Sequence, residues 1–352
     1  MPPPFYCRDL LLFLTALTAL AECVPSLPPP VGREALALQR AISAAVAAGD
    51  SALKIPAGDY VFSNTSLHIT AARDLAIDAT GVVFIFFYGF GMLLSDCRNT
   101  SVKGLTFDSD PPNYAQGTIT EVSATSELAG GTAFTAKFDD RFIPPDTSVQ
   151  PFSSPGGSAG AKVAFWDPST RRMSYQVNFL KTTSSESEPE DSWRVTLQHQ
   201  QGDPGLRVGN LVTIFPRKGF TWQCSNCSAV KAVGVTIHAG GNMGFLETDG
   251  AGGNVYQDVA ITRRPGSAGL MALNADGFHS SDLGVGPTLQ DSEISFTGDD
   301  FVNIHNRMKV VCAPVTFKPP LRAGLAIVDP SKSLSALQAG DELKFYALMP
   351  GV

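Results

Sequence analysis

The spacing of apolar residues changes character near residue 50. Between residues 33 and 48, Ala35, Leu36, Leu38, Ala41, Ile42, Ala45 and Val46 fall at helical intervals and Gly49 follows, which predicts one amphipathic helix with a glycine stop. The next stretch, ALKIPAGDYV (52–61), reads as strand, turn and strand. Short apolar segments then recur a few tens of residues apart, at 75–77, 102–107, 233–237, 259–261 and 294–296. Ile77 to Leu105 is 28 residues and Ile237 to Ile261 is 24, lengths that suit one three-sided coil whose strands pair with their copies above and below. A longer apolar run, 82–94, is interrupted by Gly89 and Gly91 and reads as buried strands.

A different alternation occupies residues 116–221. Candidate strands at 117–122, 133–138, 161–166, 174–179, 193–197 and 211–215 are joined by polar links such as SSESEPE (184–190). Because the rung pattern resumes near residue 222, this segment is expected to be an antiparallel barrel or sandwich inserted into the stack. The predicted fold is therefore all-β: a parallel β-helix in two pieces, 32–115 and 222–312, with the helix covering its open end. An uncovered first coil would present unpaired strand edges and an exposed core. Residues 313–352 read as an incomplete β segment, and with 352 − 300 = 52 residues after Asp300 the chain is expected to be truncated at its C-terminus.

Charge narrows the function. Only 17% of the 352 residues are charged, the net charge is −7 and the pI is near 5.2, so there is no basic footprint for nucleic acid or anionic lipid. The N-terminus carries an apolar run of about 11 residues, short for a ~20-residue span, ahead of Ala19-Leu20-Ala21. Residues 1–21 thus read as a signal peptide cleaved after Ala21, with an uncleaved anchor as the alternative, and no stable membrane association is expected after cleavage. Three sequons, at Asn64, Asn99 and Asn226, agree with secretion. Cys224 and Cys227 lack the second pair that a zinc site needs, and are expected to form a short-loop disulfide or to sit as buried thiols in adjacent turns.

The chemistry concentrates in NADGFH (274–279) and GDDFVNIH (298–305). Asp276 and Asp299 are 299 − 276 = 23 residues apart, about one coil, so they are expected to stack on one face. Asp300 would point the other way in a regular strand and joins them only if the chain bends, which Gly298 permits. Clustered aspartates suit glycoside hydrolysis, which needs one protonated and one ionised carboxyl, because mutual repulsion keeps a proton on one of them. His279 and His305, 305 − 279 = 26 residues apart, and Asn303 are candidates for binding sugar hydroxyls or tuning the acid. Glu247, 276 − 247 = 29 residues before Asp276, is a further acidic candidate. Each aspartate alone would read as turn chemistry; it is the pairing of two motifs, each with a histidine, that points to a site.

The helix followed by IPAGDYVF (55–62) resembles the entrance of right-handed pectin-lyase-like β-helices. GNMGFLETDG (241–250), NADGFHSSDLG (274–284) and GDDFVNIHNR (298–307), after SDPPNYAQGTI (109–119), resemble glycoside hydrolase family 110, the inverting α-1,3-galactosidases. That resemblance implies exo-cleavage of terminal α-linked galactose from a carbohydrate substrate without metal or cofactor. It makes Asp276, Asp299 and Asp300 catalytic, one as the general acid and the others orienting the water; Asp299 is expected to be the acid. The polygalacturonases, a more distant likeness, would want basic residues such as Arg307 and Lys309 for substrate carboxylates. A pectate-type lyase would want a calcium cluster and an arginine base, for which Arg263 and Arg264 are nearest. The reading from another class is a non-catalytic saccharide-binding or cell-surface protein whose aspartates are ladder residues.

Overall fold

A computed structural model describes residues 33–63, 65–87, 91–125, 131–146, 161–177, 182–188, 192–197, 206–305, 313–315 and 324–326. Residues 1–21, expected to be a signal peptide, together with Asn64, Arg307, Lys309 and most of 313–352, lie outside the described residues. Helix α1 (Arg33–Ala48) buries Ala35, Leu38, Ile42 and Ala45, one residue per turn, and leaves Leu36 exposed. It ends as the glycine predicts: Gly49 is left-handed, its N–H donates to Val46 and that of Asp50 to Ala45. The Gln39 carboxamide donates to the His68 carbonyl and accepts from the His68 N–H, both at 2.8 Å, so the helix satisfies backbone groups on a sheet edge.

The strands run β1 (Ala52–Lys54), β2 (Gly58–Phe62), β3 (Leu67–Thr70), β4 (Ala76–Phe86), β5 (Met92–Ser95) and β6 (Ser101–Ser109). Seven of another sheet follow: β7 (Ala115–Thr125), β8 (Gly131–Phe138), β9 (Lys162–Trp166), β10 (Met173–Val177), β11 (Thr182–Glu188), β12 (Ser192–Leu197) and β13 (Leu211–Phe215). The first pattern resumes with β14 (Phe220–Ser225), β15 (Lys231–Val233), β16 (Thr236–Ile237), β17 (Met243–Thr248), β18 (Val255–Gln257), β19 (Ala260–Ile261), β20 (Phe278–Ser281), β21 (Thr288–Gln290), β22 (Glu293–Ile294) and β23 (Val302–His305). Strands β24 (Ala313–Val315) and β25 (Gly324–Ala326) pair antiparallel.

The chain is thus mostly β, and its two parallel sheets are compatible with a parallel β-helix. One has the order β3-β5-β14-β17-β20-β23, with each successive pass laid beside the last. The other joins β1, β2, β4, β6, β15, β16, β18, β19, β21 and β22. Between them lies a column of buried aromatics, including Phe84, Phe107, Trp222, Phe245 and Phe278, with neighbouring ring centroids about 6 Å apart. The repeat Ile237 to Ile261 is paired as expected, but Ile77 lies beside Val102, and Leu105 pairs with Val82 across a register shift. In the first sheet the residue after each of the strands β3, β5, β14, β17 and β20 is left-handed: Ala71, Asp96, Asn226, Asp249 and Asp282. Each follows a Ser or Thr, so a Ser/Thr-Asx dipeptide closes four of the five passes.

Cys97, Cys224 and Cys227 are buried free thiols. The Cys227 thiol is pushed up to about 12 by its hydrogen bond with Cys224 and by burial, which leaves it an unreactive packing group. The sequon residues Asn99 and Asn226 are exposed, and their amides donate to Asp74 and Asp96 on the preceding pass at 2.7 and 2.6 Å.

The seven antiparallel strands have the order β10-β9-β13-β7-β8-β12-β11 around their own core, including Phe134, Phe165 and Val212. The sequence SSESEPE, expected as a link, instead supplies most of β11, an edge strand on β12. Charged residues at an edge block pairing with another chain, so polarity there is compatible with a strand. A second small cluster, Tyr114, Phe142, Trp166, Phe215, Leu270 and Met271, joins this sheet to the segment leading into Asp276.

Candidate active site

Asp276 lies two residues before β20, on a segment clamped by the antiparallel sheet. The Tyr114 hydroxyl donates to the Met271 carbonyl at 3.1 Å, the Gln116 amide to Ala268 at 3.1 Å, and Arg171 to Ala268 at 2.6 Å. The buried Asn274 amide donates to the carbonyls of Asn113 and Pro216, at 2.7 and 2.9 Å, where the chain leaves and re-enters the parallel stack. The position of Asp276 is therefore set from both sides.

The pairing of β20 with β23 matches Phe278 to Val302, an offset of 24, and the Gly277 N–H donates to the Asp300 carbonyl at 2.9 Å. Continued two residues back along both strands, that register sets Asp300, not Asp299, beside Asp276. The expectation is corrected: Asp299 is the member brought in by a bend, which covers Gly298 and Asp299. A Cβ on Gly298 would lie 2.7 Å from the Asn274 carbonyl oxygen, so close approach of two backbones explains the glycine. Carboxylate oxygens of Asp276, Asp299 and Asp300 come within 4.8 Å of one another, with Asp276 buried and the other two exposed.

Two cations that the sequence reading passed over complete the cluster. Lys162, buried on β9, donates to Asp299 Oδ2 at 3.0 Å, and Arg217, just after β13, pairs with the same oxygen. Burial pushes the Asp299 carboxyl up, but the bonds and charges of Arg217 and Lys162 outweigh it and hold the group below the usual carboxylate range. Burial also pushes the Lys162 ammonium down, against the bond to Asp299. A single lysine in an apolar strand, KVAFW, carries no local signal; its partner is 137 residues away.

His279 Nδ1 lies 2.7 Å from Asp276 Oδ2, and His305 Nε2 lies 3.1 Å from His279 Nε2. The Asn303 amide donates to Asp300 Oδ2 at 3.2 Å and reaches Asp276 Oδ2 at 3.4 Å. These three candidates are thus brought together with the acids.

Glu247 is not. Strand β17 pairs with β20 at an offset of 33, so Glu247 lies beside Ser280 and on the inward side, 0% exposed. Its Oε1 accepts from Asn254 at 2.6 Å and from the Tyr256 hydroxyl at 2.8 Å, and burial pushes its carboxyl up. Arg263 is also elsewhere, donating to the Gly269 carbonyl and stacking on Phe296, and Arg264 pairs with Asp108. Neither of the two arginines considered for a lyase base is therefore at the cluster. Arg307 lies outside the described residues.

Three convergent carboxylates form an oxygen set that a hard divalent cation accepts. Lys162 and Arg217 are already bound to Asp299, so one of the three carboxylates is held as the anion.

No family model matches the chain, and no curated protein does. The resemblance to family 110 is thus carried by its motifs alone. Among solved structures, the chain is similar to the Gp54 tailspike of Acinetobacter baumannii bacteriophage AP22, determined in complex with A. baumannii capsular saccharide. The identity is 9%, the TM-score is 0.16, and the match spans 76% of this chain and 54% of that one. No helix among the described residues is long and apolar enough to cross a membrane.

Proposed function

We propose that this chain is a secreted right-handed parallel β-helix that hydrolyses glycosides, releasing terminal α-linked galactose, with the α-1,3 linkage that the motif resemblance implies. The observation carrying the reading is the convergence of Asp276, Asp299 and Asp300 within 4.8 Å, with Lys162 and Arg217 on one member only. That asymmetry separates the roles of acid and base. Asp299, held as the anion, is the base, in place of the acid role first expected of it. The acid comes from the in-register pair Asp276–Asp300, with exposed Asp300 facing the leaving oxygen. Inverting carboxyls stand ~6.5–9.5 Å apart, so inversion requires Asp299 and the acid, now within 4.8 Å, to part by roughly 2 Å around a substrate and its water.

The test is galactose release from p-nitrophenyl α-galactoside and an α-1,3-linked disaccharide by wild type, Asp299→Asn and Asp300→Asn. Each variant is expected to lose at least ~100-fold in kcat/KM, the usual scale for a lost acid or base. Equal activity in all three sinks the assignment, and binding without turnover in the wild type favours a non-catalytic saccharide-binding protein. Proton NMR of the first product distinguishes β-galactose, from inversion, from α-galactose, from retention. Polygalacturonate is the second substrate to try, because Lys162 and Arg217 put two cations beside the acids.

A further inference from the structure

We infer that Asp276, His279 and His305 form a proton relay leading from the buried end of the carboxylate cluster to the protein surface. The chain of contacts is continuous: Asp276 Oδ2 to His279 Nδ1 at 2.7 Å, then His279 Nε2 to His305 Nε2 at 3.1 Å. Burial is graded along it, since the side chain of Asp276 is 5% exposed, that of His279 is 15% exposed, and His305 is exposed.

The tautomers follow from the partners. An anionic Asp276 oxygen accepts only, so His279 carries its proton on Nδ1 and leaves Nε2 bare in the neutral ring. A bare Nε2 facing another ring nitrogen requires His305 to donate from Nε2. His305 Nδ1 then faces water. The rings are perpendicular, with an interplanar angle of 89°, so one nitrogen meets the other end-on and the imidazoles do not stack.

A proton taken up from water at His305 Nδ1 releases the one on His305 Nε2 to His279 Nε2. His279 then gives its Nδ1 proton to Asp276 Oδ2. One proton enters, one arrives, and both rings end neutral, each with its proton on the other nitrogen, until they reset. The Asn303 amide, which passes no proton itself, holds Asp276 and Asp300 with carboxylate oxygens within 4.8 Å of each other, so a proton placed on Asp276 reaches Asp300 from carboxyl to carboxyl across that gap and refills the pair that donates in each turnover. The other charged groups facing this line are Asp300, Asp299 and, through Asp299, Lys162 and Arg217. The two cations bind Asp299 and a bound substrate covers the otherwise exposed Asp300, so with the site filled the histidine line links the buried Asp276 to solvent.

The catalytic part of this inference rests on the hydrolase reading; the tautomer part does not. Long-range proton–nitrogen NMR of the full chain labelled with 15N-histidine is expected to show His279 protonated on Nδ1 with a bare Nε2. Its Nε2 signal is expected to shift in His305→Phe and to stay near wild type in His305→Gln, where the carboxamide still donates. His279 protonated on Nε2, or unaffected by His305→Phe, overturns the relay. So does one zinc ion per chain bound through both Nε2 atoms, which would make the pair a metal site.

Kinetics separate a relay from a structural hydrogen bond. Gln keeps the bond but passes no proton, so His305→Gln is expected to lower kcat about tenfold with KM unchanged, with partial rescue by added imidazole. Full activity in His305→Gln overturns the relay even if hydrolysis is established. A wild type that cleaves no glycoside overturns the hydrolase reading and leaves the relay to be decided by the tautomers.

Discussion

Glu247 and Asp276 are both buried acids on neighbouring passes, and their fates differ through side-chain direction. Asp276 precedes its strand and turns to the groove, whereas Glu247 is inside β17 on the same inward side as Phe245. Burial raises the Glu247 carboxyl, so the folded state holds its proton more tightly than the unfolded chain does. Its contribution to stability is present below the ordinary glutamate value, near ~4.3, and is lost as pH rises through the raised folded value. Glu247→Gln keeps the acceptor for Asn254 and Tyr256 without a titrating group. Thermal melts of the variant between about pH 4 and pH 8 are expected to vary less with pH than those of wild type. An identical pH slope would refute this account of Glu247.

Asp299 has the opposite sign. Burial is outweighed by Arg217 and Lys162, so its stabilising effect is present above the ordinary aspartate range and fades as pH falls through the lowered value. Lys162→Met leaves Arg217 as its cation. The acid limb of the pH–rate profile is expected to move to higher pH, lowering kcat/KM on that limb by up to about tenfold, the equivalent of one pKa unit. An unmoved acid limb would show that Lys162 does not tune Asp299.

The elements around the site illustrate how one residue of register reassigns function. A spacing of 23 suggests that Asp276 and Asp299 stack, but the β20–β23 offset of 24 gives that place to Asp300. The bend at 298–299 then returns Asp299 to the same groove, which a regular strand would forbid. Gly298→Ala tests the bend, since the added methyl meets the Asn274 carbonyl. The expected cost is ~1–3 kcal/mol of stability, with at least a tenfold fall in activity as Asp299 is displaced. Wild-type melting and turnover in this variant would show that close packing at Gly298 does not hold the site. A sequence signal for register did exist: the Ser/Thr-Asx dipeptides that end four strands of the first sheet mark successive passes.

At the scale of the molecule, the antiparallel sheet works as one wall of the site. It supplies Lys162 directly, holds the Asp276 segment through Tyr114, Gln116 and Arg171, and the chain leaving it carries Arg217. The spacing of passes shows the same division. From Asp96 to Asn226 is 130 residues, against 25 from Ala71 to Asp96 and 23 from Asn226 to Asp249. The surplus, 130 − 25 = 105, corresponds to the antiparallel strands lying between two adjacent strands of one parallel sheet, β5 and β14.

Local pattern by itself determined the helix and its glycine stop, the recurring parallel strands, the change of strand type near residue 116 and the two aspartate motifs. Each depends on periodicity or on residues close in the chain. Tertiary structure decided the rest, because the deciding interactions join distant residues. Lys162 meets Asp299 across 137 residues, Glu247 is turned inward by the parity of its strand, and a polar link becomes an edge strand through pairing with β12. The difference within the aspartate trio belongs to this second group: periodicity sets one member of the Asp299–Asp300 pair beside Asp276, but the bend at 298–299 gathers all three, and only the cations arriving from outside the parallel sheets make Asp299 different.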